Sequence, residues 1–180
     1  MSEQHAGGPV GRAVEALDKA LAVVEAIGIV VLTLTALAIG IMQVGLRYIF
    51  NSGIPWSEGV FITLTIWAML LAGSRAVRDG VHVRVDVGIR FLPAVLRRTA
   101  ELIALVAPLI LCGFFFYAGL LYTHFVYSLG IISQEAQLPD WVVYGCVPVT
   151  MAAFVLRYLI LIFRWSRGEP LPGGTAEGAG

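Results

Sequence analysis

The sequence predicts an all-α integral membrane protein: four transmembrane helices, both termini on the cytoplasmic side, and an amphipathic connector lying on that same face. Three observations predict it. Hydrophobic residues make up 58% of the 180-residue chain and charged residues only 13%, with a mean hydropathy of +0.85, too apolar for a water-soluble domain. Four apolar runs each approach or exceed the ~20 residues needed to cross a bilayer. Lys and Arg gather at one end of each run, and those ends alternate along the chain as a folded-back topology requires.

Residues 1–22 form a lead-in expected on the cytoplasmic side. Its polar, glycine-rich start is followed by Arg12, Glu15, Asp18 and Lys19, with Val14, Leu17 and Leu21 at helical spacing, which suits a short amphipathic segment at the membrane surface. The first crossing is placed at residues 23–46. Ala36-Leu37-Ala38 mimics a signal-peptide cleavage site, but the apolar run continues to Arg47, well beyond a signal core of about 7–15 residues. Thr33, Ala36 and Gly40 form a strip of small residues on which a neighbouring helix can pack closely.

The second crossing, residues 57–77, follows a polar, Pro-containing corner, with Trp56 as an interface anchor and Glu58 at the helix start, and ends among arginines; Ala68, Ala72 and Ala76, four residues apart, give it a second packing strip. Between residues 78 and 98, Val81, Val83, Val85 and Val87 alternate with His82, Arg84 and Asp86. Alternation favours a strand, yet a lone strand beside a membrane leaves its edges unpaired. A surface-lying turn and short helix fit better, with Arg75, Arg78, His82, Arg84, Asp86 and Arg90 as candidate membrane-surface residues. The third crossing, residues 98–127, holds Pro108, Gly113 and the aromatic run Phe114-Phe115-Phe116-Tyr117. A connector with Gly130 and Pro139 leads to the fourth, residues 141–165, which contains Pro148. The Gly- and Pro-rich residues 166–180 read as a disordered cytoplasmic tail.

Orientation follows from the basic residues. Arg12 and Lys19 precede the first run, Arg75, Arg78, Arg84, Arg90, Arg97 and Arg98 lie between the second and third, and Arg157, Arg164 and Arg167 close the fourth; the other face has Arg47. The positive-inside bias therefore places both termini in the cytoplasm.

Chemistry-bearing constellations are sparse. Cys112 and Cys146 form no CxxC pair and read as small core residues. His82 and His124 belong to opposite ends of the membrane domain, so they cannot ligate one haem, and no nucleophile-elbow sequence is present. The sequence therefore predicts no enzyme activity, cofactor or metal. The interiors of the crossings carry almost no charge: Glu25 and Glu101 sit near the cytoplasmic ends, and Gln43 is the most polar side chain deep in an outer half. A self-sufficient ion-coupled transporter would be expected to carry embedded carboxylates, broken helices or repeats. The chain reads instead as a partner or scaffold. Arg47, Trp56 and Glu58 are candidate contacts to another subunit; the alternative makes them interfacial anchors and a helix N-terminal acid.

Gln43, the run Arg47-Tyr48-Ile49-Phe50-Asn51, Pro55-Trp56-Ser57-Glu58, Trp67, Gly73, the segment DGVHVRVD at 79–86, Leu138-Pro139 before Trp141, and Pro148 together resemble the small membrane subunit of tripartite ATP-independent periplasmic (TRAP) transporters, the DctQ-like small permeases. The resemblance covers about residues 23–163. It implies association with a large multi-helix permease, delivery of an organic acid by a periplasmic substrate-binding protein, uptake driven by a sodium or proton gradient, and residence in the bacterial inner membrane. It also implies a scaffold role, with the basic segment held to anionic lipids. The chain departs from the family pattern at Gly59, where a second acidic residue often follows the Trp motif. Two other readings remain open: a membrane-anchor subunit of a redox enzyme complex, and an autonomous four-helix exporter.

Overall fold

The computed structural model describes residues 9–78 and 94–167. Helix α1, Pro9–Ile49, is a single 41-residue helix. No Gly or Pro falls between Gly11 and Gly28, so nothing separates the lead-in from the first crossing, and at 1.5 Å per residue the helix runs for about 60 Å. Along it, residues 18, 22, 25, 29, 32, 36, 39, 43 and 46 are buried or half-buried, steps alternating between four and three. That 3.5-residue period keeps one seam facing a neighbouring helix. The helix ends where Asn51 adopts φ 50° and the N–H groups of Phe50 and Ser52 both donate to the Leu46 carbonyl, a left-handed stop that Asn tolerates.

Helix α2, Pro55–Arg78, opens on a proline, whose fixed φ and missing N–H suit a first turn. The Ile54 N–H ahead of it donates to the Gln43 side-chain oxygen of α1 at 3.2 Å. Gln43 thus satisfies a donor at the turn between the first two helices. Helix α3, Ala94–Leu129, retains Pro108 in its interior. Its end is marked by Gly130 at φ 61°. The following connector folds back on itself: an isolated bridge joins Ile132 to Pro139, Ser133 N–H donates to the Leu138 carbonyl at 2.8 Å, and Gln137 N–H to the Ser133 carbonyl at 2.9 Å.

The last crossing is in two pieces, α4 (Asp140–Tyr144) and α5 (Cys146–Ser166), joined at Gly145. Pro148 accounts for the joint, since its ring cannot coexist with an undistorted carbonyl four residues earlier, at Tyr144. Gly145 N–H still reaches Trp141 O at 2.9 Å, so the chain direction is preserved across the break.

Among the described residues, four helices are long and apolar enough to cross a membrane: Gly11–Ile49, Pro55–Arg78, Thr99–Leu129 and Asp140–Ser166. Their packing order is α1, α2, α5, α3, with α1 also touching α5 lightly. This is an open row more than a closed bundle. One apolar cluster, Val77, Leu105, Phe154, Tyr158 and Leu161, joins α2, α5 and α3. Close approach there uses Gly73, where a Cβ would come within 3.0 Å of the Phe154 ring. The outward sides of α1 and α3 stay exposed, from Val24, Val31 and Ile41 to Ile110, Phe114 and Tyr117.

Candidate functional site

At the end of the row formed by the C-termini of α2 and α5, three helices converge on buried charge. Asp18 and Glu25 lie seven residues apart on the α1 seam, and Arg157 and Arg164 seven apart on α5, so each pair shares a helix face. Arg157 is 1% exposed and Glu25 2%. The Arg157 guanidinium bridges the two carboxylates: one Nη donates to Asp18 Oδ1 and the other to Glu25 Oε2. Glu25 Oε1 accepts from the fully buried Ser74 hydroxyl of α2 at 2.7 Å. Asp18 Oδ2 accepts from Arg78 Nε of α2 and from Arg164 Nη2, each at 3.3 Å. Arg157 Nε has no hydrogen-bond partner among the described residues.

A buried charge is tolerable only when paired and hydrogen-bonded. Here every carboxylate oxygen is engaged by a donor from another helix. The network is a staple linking α1, α2 and α5.

The opposite end presents a different surface. Arg47, Trp56 and Glu58 are all exposed, and neither Arg47 nor Glu58 has an ion-pair partner among the described residues. Beside them the α3–α4 connector is pressed onto Gly59, where a Cβ would lie 2.5 Å from the Glu135 carbonyl carbon and 2.6 Å from the Ala136 nitrogen. Any side chain there, acidic or not, collides with backbone. The departure from an acidic residue at position 59 therefore has a steric reason.

Among the candidate packing residues, Ala36 and Ala68 are buried at 4% and 7% exposure, and Gly40 faces the Phe61 ring of α2, a Cβ there coming within 3.3 Å of it. Ala76 is half-buried, whereas Ala72 is exposed. The buried line on α2 instead runs through Ser57, Gly59, Thr63, Ala68, Ser74 and Val77. Of the candidate membrane-surface residues, Arg75 is half-buried and Arg78 contacts Asp18. His82, Arg84, Asp86 and Arg90 lie outside the described residues.

Sequence reasoning missed the staple. It treated Arg157 and Arg164 as topology charges and Glu25 as an end-of-helix acid. The available signal was the pair of seven-residue spacings, acidic on the first helix and basic on the last.

Residues 36–168 match the family of tripartite ATP-independent periplasmic transporters, DctQ component. The chain is 30% identical over 117 residues to the C4-dicarboxylate TRAP transporter small permease protein DctQ of Rhodobacter capsulatus, covering 65% of this chain and 52% of that protein. It is 26% identical over 151 residues to the protein of the same name from Vibrio cholerae, covering 69% of this chain and 63% of that one. The chain thus spans between about half and just under two thirds of the length of these relatives. Asp18 and Glu25 lie ahead of the matched region, while Ser74, Arg78, Arg157 and Arg164 lie within it.

Proposed function

Because the chain belongs to the DctQ-component family of tripartite ATP-independent periplasmic transporters, a family of transporter subunits, we propose that it serves as the fixed membrane scaffold of such a system, paired with a large multi-helix permease. The periplasmic binding protein delivers an organic acid to the pair, and a sodium or proton gradient drives uptake without ATP. The names of the two relatives point to C4-dicarboxylates as the first substrates to assay. The chain sits in the bacterial inner membrane with residues 23–165 as its membrane domain and residues 1–22 and 166–180 in the cytoplasm, where the arginines of the α2–α3 region meet anionic headgroups.

One observation carries this reading: the buried acids are already engaged. Asp18 and Glu25 hold α1 to α2 and α5, leaving neither carboxylate free to bind and release a coupling ion. A part whose buried charges tie three helices together is suited to stay still while another subunit moves. The open row supports the same reading, since apolar surface on α1 and α3 is available to lipid and to a partner.

The test is a mild-detergent pull-down of the tagged chain from its native membranes, with mass spectrometry of what stays bound. The expected result is a stoichiometric large permease without haem. Recovery of a soluble redox subunit, or substrate transport by this chain alone in liposomes, would overturn the scaffold reading.

A further inference from the structure

We propose that Arg78 and Arg164 form a binding site for a phosphoryl group, presented by an anionic phospholipid and seated over Asp18. The proposal rests on the reading that this end of the row faces the cytoplasmic headgroup layer. Charge is the first argument. Three guanidinium groups, those of Arg78, Arg157 and Arg164, converge on two carboxylates, Asp18 and Glu25, leaving an excess of one positive charge. The neighbouring Lys19 does not alter that balance, because its ammonium is paired with Glu15 at 2.8 Å.

Donor geometry is the second argument. A guanidinium carries five N–H donors. Toward Asp18, Arg78 uses its Nε and Arg164 one Nη, both at 3.3 Å and both on the same oxygen. Charge-assisted bonds of this type are normally about 2.7–2.9 Å, so each arginine is loosely held. Sharing one acceptor atom keeps the two bonding nitrogens within twice 3.3 Å of each other. Their side chains are 31% and 27% exposed, whereas Asp18 is 7% exposed. The spare donors therefore sit at the rim, above a buried acid. A third cation approaches the same end: Arg167 lies over Gly11 of α1, its Nη1 2.8 Å from where a Cβ would be, and stacks 5.3 Å above the Phe163 ring.

A phosphoryl group offers several acceptor oxygens to paired guanidiniums, and Arg recognises it in a planar, bidentate manner. A lipid is the favoured source because the charged end continues into apolar surface. Leu17, adjacent to Asp18, and Val24 and Val31, each seven residues further on, are exposed at 49%, 68% and 55%, a stripe along which acyl chains can lie.

The full chain, purified in detergent, would be titrated with phosphatidylglycerol and with phosphatidylcholine of the same acyl chains, and lipid retention read by native mass spectrometry. One phosphatidylglycerol should be retained per chain in preference to phosphatidylcholine. Arg164→Gln should weaken that binding about fivefold, as expected for loss of one basic residue at an anionic surface. Arg78→Lys keeps the charge but removes the planar donors, and should weaken binding in a chain that still folds. Equal retention of the two lipids, or unchanged phosphatidylglycerol binding in both variants, would overturn the site. Displacement of the lipid by inorganic phosphate would overturn the lipid assignment in favour of a free anion. The readout needs no permease, so its failure is separable from failure of the scaffold reading.

Discussion

Arg157 is the residue on which the α1 contact depends most. Among the described residues its guanidinium is the single group hydrogen-bonded to both the Asp18 and Glu25 side chains, and its truncation leaves two acids buried with fewer partners. Arg157→Ala should destabilise the chain by about 3–5 kcal/mol, the usual consequence of removing one partner from a buried ionic cluster. Unfolding in mixed detergent and dodecyl sulfate micelles would measure it. Replacing the triad together, Asp18→Asn with Glu25→Gln and Arg157→Met, should recover much of the loss, because no fully buried charge is then left unpaired and Arg78 and Arg164, which lose Asp18, are partly exposed; a triple variant as unstable as Arg157→Ala would show that shape, not charge, is what the site requires. These residues were visible in the sequence as charges, but charge alone does not reveal a partner. Arg157 stands among basic residues that obey the positive-inside bias, and that bias explains its presence as well as a buried bridge does. The contact joins positions 139 residues apart, a separation that no local periodicity encodes.

At the scale of single helices, the sequence and the structure agree where hydropathy and backbone chemistry decide. The four crossings and the entry of the last one near Trp141 follow from local signals; the second helix, expected from Ser57, starts two residues earlier at Pro55. The packing face is less legible. Ala68, Ala72 and Ala76 share a spacing of four, yet a helix turns by 3.6 residues, so each step of a row of fourths rotates by about 40° and its members need not share one contact. Ala68 is buried at 7% exposure, and Ala72 is exposed. Ala68→Leu should therefore cost about 1–3 kcal/mol by overpacking. Ala72→Leu should change stability by no more than about 0.5 kcal/mol, as is usual for an exposed site. The same micelle unfolding assay distinguishes them; equal losses would mean that α2 packs through a wider face than the structure gives it. Gly59 shows the same limit from another direction. Its need for glycine comes from the Glu135 and Ala136 backbone, in a connector more than seventy positions away.

Across the whole molecule, the two ends of the row divide the labour. The Asp18 end is closed internally, its acids engaged by α2 and α5, whereas the Trp56 end leaves Arg47, Trp56 and Glu58 exposed. Composition and charge asymmetry made the number of crossings legible, but the neighbour order α1, α2, α5, α3 depends on contacts between distant helices and could not be read from any one of them. That order has a consequence for assembly. If the outer corner is the contact to the permease, Trp56→Ala with Glu58→Ala should lower co-purification of the large subunit while membrane insertion and the unfolding midpoint of the chain stay unchanged, since neither side chain holds the row together. Truncated interface aromatics commonly cost about 2 kcal/mol or more, equivalent to a loss of roughly thirtyfold in affinity, which quantitative pull-down at several detergent dilutions would detect. Arg157→Ala provides the contrast: it should reduce the amount of folded chain and the recovered permease in equal proportion. Unchanged permease recovery in the Trp56 and Glu58 double variant would return those residues to an anchoring role at the lipid interface and shift the search for the partner surface to the exposed sides of α1 and α3.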